Sequence, residues 1–131
     1  MVRRVKASQS PDLLLTTLLA LDGCLAPSTW CQGAWAYDQE GLAADPYSDT
    51  AIRRCLEGWT MRLTDGAMDL RWEVKEALNA SIIALYPAFA ASHAPDITRK
   101  PRMVSVNDKL GFEAVKAVVA HAIQMQKEPQ P

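Results

Sequence analysis

The chain has 131 residues, 49% of them apolar and 22% charged, a composition that excludes wholesale disorder and fits one domain with its own core. Its 14 Lys and Arg face 15 Asp and Glu, for a net charge of −1. That balance excludes the strongly basic footprint of a typical nucleic-acid-binding domain, though not a local basic patch.

Residues 1–9 are expected as a basic arm carrying Arg3, Arg4 and Lys6. This start, the apolar run Leu13–Leu21 and the Leu-Asp-Gly-Cys ending at Cys24 have the outline of a secretory or lipoprotein signal. Asp12, Asp22 and the polar pair Thr16–Thr17 argue against it, and Ser10-Pro11-Asp12 reads better as a helix start. A cytoplasmic protein is therefore expected. The first helix is expected from Pro11 to about Asp22, ended by Gly23 and Pro27. Leu14, Leu18, Leu21 and Leu25 share a face, with Leu15 and Leu19 beside them, so the helix is expected to be buried on more than one side.

From 26 to 48 the texture changes. Trp35 and Tyr37 alternate with small residues and predict a short extended segment, closed by a turn at Gln39-Glu40-Gly41. Ser48 or Asp49 is expected to cap a second helix over 49–64. Ile52, Cys55, Leu56, Trp59 and Leu63 follow the spacing of one apolar face there. Asp65-Gly66 breaks this helix. A third is expected from about Ala67 to Tyr86, with Leu70, Val74, Leu78, Ile82 and Leu85 inside, and it stops before Pro87. A proline-rich connection covers 87–102. Met103-Val104-Ser105-Val106 reads as a second extended piece that could pair with Trp35–Tyr37. Asn107 or Asp108 then caps a last helix, Lys109–Gln126, whose core face carries Phe112, Val115, Val118, Val119 and Ile123. Residues 127–131 form a polar tail. The expected fold is mainly α: about four helices around one core, with one or two short extended segments, in a single domain.

The chemistry-bearing residues are few. Cys24, Cys31 and Cys55 make an odd count with no CxxC, and His93 and His121 lie far apart, so neither a disulfide framework nor a metal site is expected. No GxGxxG or GxxxxGK phosphate loop occurs, and no cofactor is expected. Cys55 reads as a small buried hydrophobe. Gly58 is read as letting another helix or Trp30 approach closely. Gly33, Ala34 and Ala36 beside Trp30 and Trp35 read first as close packing, and alternatively as a groove with an aromatic wall. Asp38 reads as a turn former.

Taken in order, Trp30-x-Gln32-Gly33-Ala34-x-Ala36-x-Asp38-x-x-Gly41, then Ala51-x-x-x-Cys55-x-x-Gly58, then Val106-Asn107-Asp108 resemble the motifs of a family of small bacterial and phage proteins classed as a domain of unknown function. The resemblance runs from about Leu13 to Ile123. It departs where Leu56 and Trp59 flank the Cys-x-x-Gly glycine, a place usually held by small residues. It departs again at Lys109-Leu110-Gly111-Phe112, where Thr and His are more usual. The resemblance implies no substrate, cofactor or reaction.

Trp30, Gln32, Asp38, Asn107 and Asp108 are the candidate binding residues, and no catalytic constellation is read. The leading expectation is a non-enzymatic interaction or accessory protein, phage-associated, that binds another protein through an apolar surface rich in Trp and Met. The alternatives are a small-molecule-binding protein or small enzyme, with a pocket near Trp30, Asp38, Cys55 and Asp108, and a nucleic-acid-binding domain. The last would use Arg3-Arg4-Lys6, Arg53-Arg54 with Arg62, and Arg99-Lys100-Arg102.

Overall fold

Apolar residues three and four apart force the main helices together. In a computed structural model describing residues 11–93 and 101–128, α1 (Pro11–Cys24), α3 (Met68–Leu85) and α6 (Phe112–Lys127) pack around one core. Leu14, Leu18 and Leu21 of α1 meet Val74, Leu78 and Ile82 of α3 and Val115, Val118, Val119 and Ile123 of α6 there. Between α1 and α3 come β1 (Ala36–Asp38), β2 (Ala51–Arg54) and α2 (Leu56–Leu63). After α3 come two short helices, α4 (Pro87–Ser92) and α5 (Arg102–Ser105), and a π-helical turn, Val106–Leu110. Among the described residues the chain is thus mainly α, with six α-helices rather than about four and one two-stranded sheet. No described helix is long and apolar enough to cross a membrane. The expected arm, the Ser10 cap and the end of the expected tail (129–131) lie outside the described residues; Lys127 closes α6.

Several sequence expectations need correction, among them the connection expected over 87–102, where α4 occupies Pro87–Ser92 and α5 opens at Arg102. The helix expected over 49–64 is a strand followed by a shorter helix. β2 pairs antiparallel with β1, Ala36 opposite Arg54 and Tyr37 opposite Arg53, with a bulge between Tyr37 and Asp38. Ile52 is 46% exposed while Arg54 is 5% exposed, the reverse of the expected helical face. The guanidinium of Arg54 drives this inversion. Its Nε donates to the Pro46 carbonyl at 2.7 Å and a terminal nitrogen to that of Ser48 at 2.9 Å, and it lies 4.7 Å from the centre of the Trp59 ring. A buried guanidinium is tolerated when its donors are used and its plane is stacked.

The helix that follows starts at Cys55, not at Ser48 or Asp49. The Cys55 sulfur accepts the Gly58 amide at 3.3 Å, as a capping side chain does.

Met103–Val106 is helical, not extended, so the sheet partner of β1 is β2. Met103 and Val106 are both buried, and three residues apart on a helix they share a face.

The last helix begins at Phe112, and neither Asn107 nor Asp108 caps it. The Gly111 amide donates to the carbonyl of Val106, five residues back, and Gly111 then turns the chain at φ +94°. This wider turn aims Asn107 inward. Along α1 and α3 the inner stripes form as expected, but Leu13, Leu19 and Leu85 are exposed, so α1 is buried along one side only.

Candidate functional site: a polar clasp and two grooves

Asn107 is fully buried, 77 residues from Trp30 in sequence and in contact with it. Its Oδ1 accepts the Trp30 indole N–H at 2.7 Å and the Leu56 amide at 2.9 Å. Its Nδ2 donates to the Cys31 carbonyl at 3.0 Å and to Asp108 Oδ1 at 3.1 Å. A primary amide has two lone pairs and two N–H groups, and all are engaged. Asn107 therefore has no capacity left for a ligand. It joins the aromatic segment, the start of α2 and the π-helical turn.

Gln32 and Asp108 complete the clasp. Gln32 Nε2 donates to the carbonyls of Asn107 at 2.9 Å and Asp108 at 3.3 Å. Gly33 donates its amide to Asp108 Oδ1 at 3.2 Å. The Trp30 ring meets Phe112 edge-on at 5.5 Å between centroids, which anchors it to α6. Four of the five candidate residues, Trp30, Gln32, Asn107 and Asp108, thus come together. Asp38 does not join them. Its Oδ1 accepts the amides of Glu40 and Leu42, which makes it the turn former of the β1 loop.

A groove with room for about 430 Å³ opens beside the clasp, lined by Ala34, Trp35, Ala44, Cys55, Val104 and Asp108 among others. Both described bonds to the Asp108 carboxylate fall on Oδ1. Burial, with smaller pushes from the charges of Glu57 and Asp108, raises the Cys55 thiol to about 11. Burial and the neighbouring Cys55 push Cys31 up to about 12. Both are poor nucleophiles near neutral pH. The histidines are engaged elsewhere. His121 Nδ1 lies 2.9 Å from Ser81 Oγ, and the His93 ring stacks on Phe89 at 4.0 Å.

Of the arginines read as a nucleic-acid surface, Arg54, Arg62 and Arg102 bond within the protein, while the Nε of Arg53 is buried without a hydrogen-bond partner among the described residues. Besides Arg54, Arg62 donates to the Tyr47 carbonyl at 2.7 Å and pairs with Asp49 at 2.8 Å. Arg102 donates to the Ala90 carbonyl and to Asn79 Oδ1. Arg3, Arg4, Lys6, Arg99 and Lys100 lie outside the described residues.

The outer face of α3 was missed in the sequence reading. Met68 is 66% exposed, Trp72 one turn later 64%, and Ile83 about three turns further on 45%. The signal was present: Trp72 and Ile83 fall far round the helix from the Val74–Leu78–Ile82 stripe, with Met68 at its edge. Leu13 of α1 shares with Met68 and Leu70 a second groove with room for about 480 Å³, which Asp69 and Glu73 also line.

Comparison with protein-family models, curated proteins and solved structures gave no match to the chain.

Proposed function

We propose that the chain is a non-catalytic protein-interaction module that docks a partner through the outer face of α3. The observation that carries this reading is Trp72, a large indole 64% exposed between Met68 and the acidic residues of its own helix. Aromatic and Met side chains in such a setting are the typical anchors of an interface.

The polar clasp supports the same reading from the other side. The motif residues Trp30, Gln32, Gly33, Asn107 and Asp108 bond to one another, so most of their polar capacity goes into holding the fold. The chain as a relative of the small bacterial and phage family it resembles, working as a cytoplasmic, phage-associated accessory protein, belongs to this proposal.

The test is photo-crosslinking from a benzophenone residue at position 72, with position 113 on the exposed side of α6 as control. A discrete adduct from position 72 only, competed by excess wild-type chain and not by Trp72→Ser, is the expected result. Equal adducts from both positions, or none, would overturn the reading.

A second reading rests on Asp108, whose carboxylate stands at the edge of the Trp35–Cys55 groove. It makes the groove a site for a small cationic ligand. Thermal-shift measurements with primary amines and guanidines, on wild type and Asp108→Asn, test it. A shift confined to wild type supports the site, and equal or absent shifts remove it.

A further inference from the structure

The groove between the start of α1 and the start of α3 has an apolar floor of Leu13, Met68 and Leu70 beside the carboxylates of Asp69 and Glu73. Oε1 of Glu73 is out of contact with solvent and accepts no hydrogen bond among the described residues. A carboxylate oxygen removed from water without a donor is unfavourable. Burial first, then the charges of Asp69 and Glu76, push the Glu73 carboxyl up.

The cations of α3 do not supply that charge. Arg71 turns to Thr64 Oγ1 and the Tyr47 ring, and Lys75 pairs with Glu57 at 3.1 Å. Among the described residues no Lys or Arg pairs with Asp69 or Glu73. Outside the groove lining, Trp72 is exposed one turn after Met68 on the same helix.

Resting on the interaction reading, we propose that this face binds a cationic amphipathic helix of a partner protein. Its apolar side chains lie on Leu13, Met68 and Trp72, and an Arg or Lys reaches Asp69 and Glu73. A helix laid along a helix face is a common recognition mode, and opposite charges at its margin fix the orientation. A second copy of the chain is the poorer occupant, because a two-fold contact through this face sets the same carboxylates against each other.

The probe is a dye-labelled synthetic peptide of Leu and Lys with its leucines at helical spacing, and a counterpart in which Glu replaces Lys. Fluorescence anisotropy is read for the full chain, Trp72→Ser and the double variant Asp69→Asn, Glu73→Gln. Each variant is first checked for an unchanged thermal midpoint. The expected result is a Leu/Lys preference of about tenfold or more at low salt, weakened by added salt. The double variant abolishes the preference, and Trp72→Ser weakens both peptides. Backbone amide shifts on titration are expected at residues 66–73.

If Trp72→Ser weakens binding but the double variant keeps the preference, the charge assignment falls and the interaction reading stands. If Trp72→Ser binds like wild type and the shifts lie elsewhere, both fall. Sedimentation that shows a dimer dispersed by Trp72→Ser would make a second copy the occupant and overturn the proposal.

Discussion

A side chain added at Gly58 would place its Cβ 2.1 Å from the carbonyl oxygen of Trp35. The same carbonyl accepts the Cys55 amide at 3.1 Å, so the aromatic segment is drawn hard against the first turn of α2. The sequence reading expected a close approach at Gly58 by Trp30 or a helix; the neighbour is the backbone of Trp35.

Gly58→Ala is therefore expected to destabilise the protein. Alanine in a helix is favoured by up to about 1 kcal/mol over glycine, but a clash with backbone does not relax as a side-chain clash does. A net loss of about 1–3 kcal/mol is expected from overpacking. Gly23→Ala is the matched control, since nothing lies within 4 Å of the added Cβ. It should be neutral or stabilise by up to about 1 kcal/mol. Urea midpoints of the two variants should move in opposite directions, or only the first should move.

Asn107→Ala should be among the most damaging substitutions in the chain. It removes all four bonds of the amide and strands the Trp30 indole N–H and the Leu56 amide. Each buried unsatisfied group costs about 1–3 kcal/mol, so a total loss of about 3–5 kcal/mol is expected. A helix cap would cost only about 1 kcal/mol. Asp108→Asn keeps an acceptor for Gly33 at a half-exposed site and should cost less. Equilibrium unfolding of the two variants separates a clasp from a cap.

The tryptophans should divide sharply. Trp59 is half-buried, donates its indole N–H to the Thr29 carbonyl at 3.1 Å and carries the Arg54 guanidinium. Trp59→Ala is expected to lose about 3 kcal/mol. Trp72→Ser should change stability by less than about 0.5 kcal/mol, as surface substitutions do. Thermal midpoints check both.

The thiols give a pH prediction. Cys31 and Cys55 are raised from 9.0 to about 12 and about 11, chiefly by burial. In the folded state each holds its proton above the pH at which the unfolded chain releases it. Their contribution to stability is therefore complete below about pH 9 and is lost as the pH rises through about 11 to 12. Cys31→Ala with Cys55→Ser should flatten this alkaline decline in unfolding free energy. Native-state alkylation near neutral pH should reach half-buried Cys24 first. Cys31 is buried and should lag with Cys55.

The sequence was most legible where one helix face does one job. The stripes Leu14–Leu18–Leu21, Val74–Leu78–Ile82 and Val115–Val118–Val119 could be read directly, because burial alone sets their spacing. Reading failed where a long-range bond overrides local pattern. Ile52 extends the Cys55–Leu56–Trp59 spacing, yet strand pairing with β1 and the carbonyls around Arg54 decide its conformation. The Val-Ser-Val alternation at 104–106 suggests a strand, but nothing local reveals that Asn107 will find Trp30. Of the five candidates Trp30, Gln32, Asp38, Asn107 and Asp108, the fold brings four together and leaves Asp38 in its own turn. Their roles could not be read, since a saturated amide and a ligand-binding amide look alike in one dimension.

The clasp also sets an order in time. Trp30, Cys31 and Gln32 bond to Asn107 across sequence separations of 75 to 77 residues. During synthesis from the N-terminus the aromatic segment leaves the ribosome long before Asn107 is made. At about 5–20 residues per second this segment waits several seconds with its indole and backbone groups satisfied only by water. Closing so long a loop also makes the clasp a late event in refolding. Until Asn107 arrives, Trp30 and its neighbours are open to chaperones and to mispairing, so nascent chains halted before residue 107 should be the most vulnerable intermediates of the whole molecule.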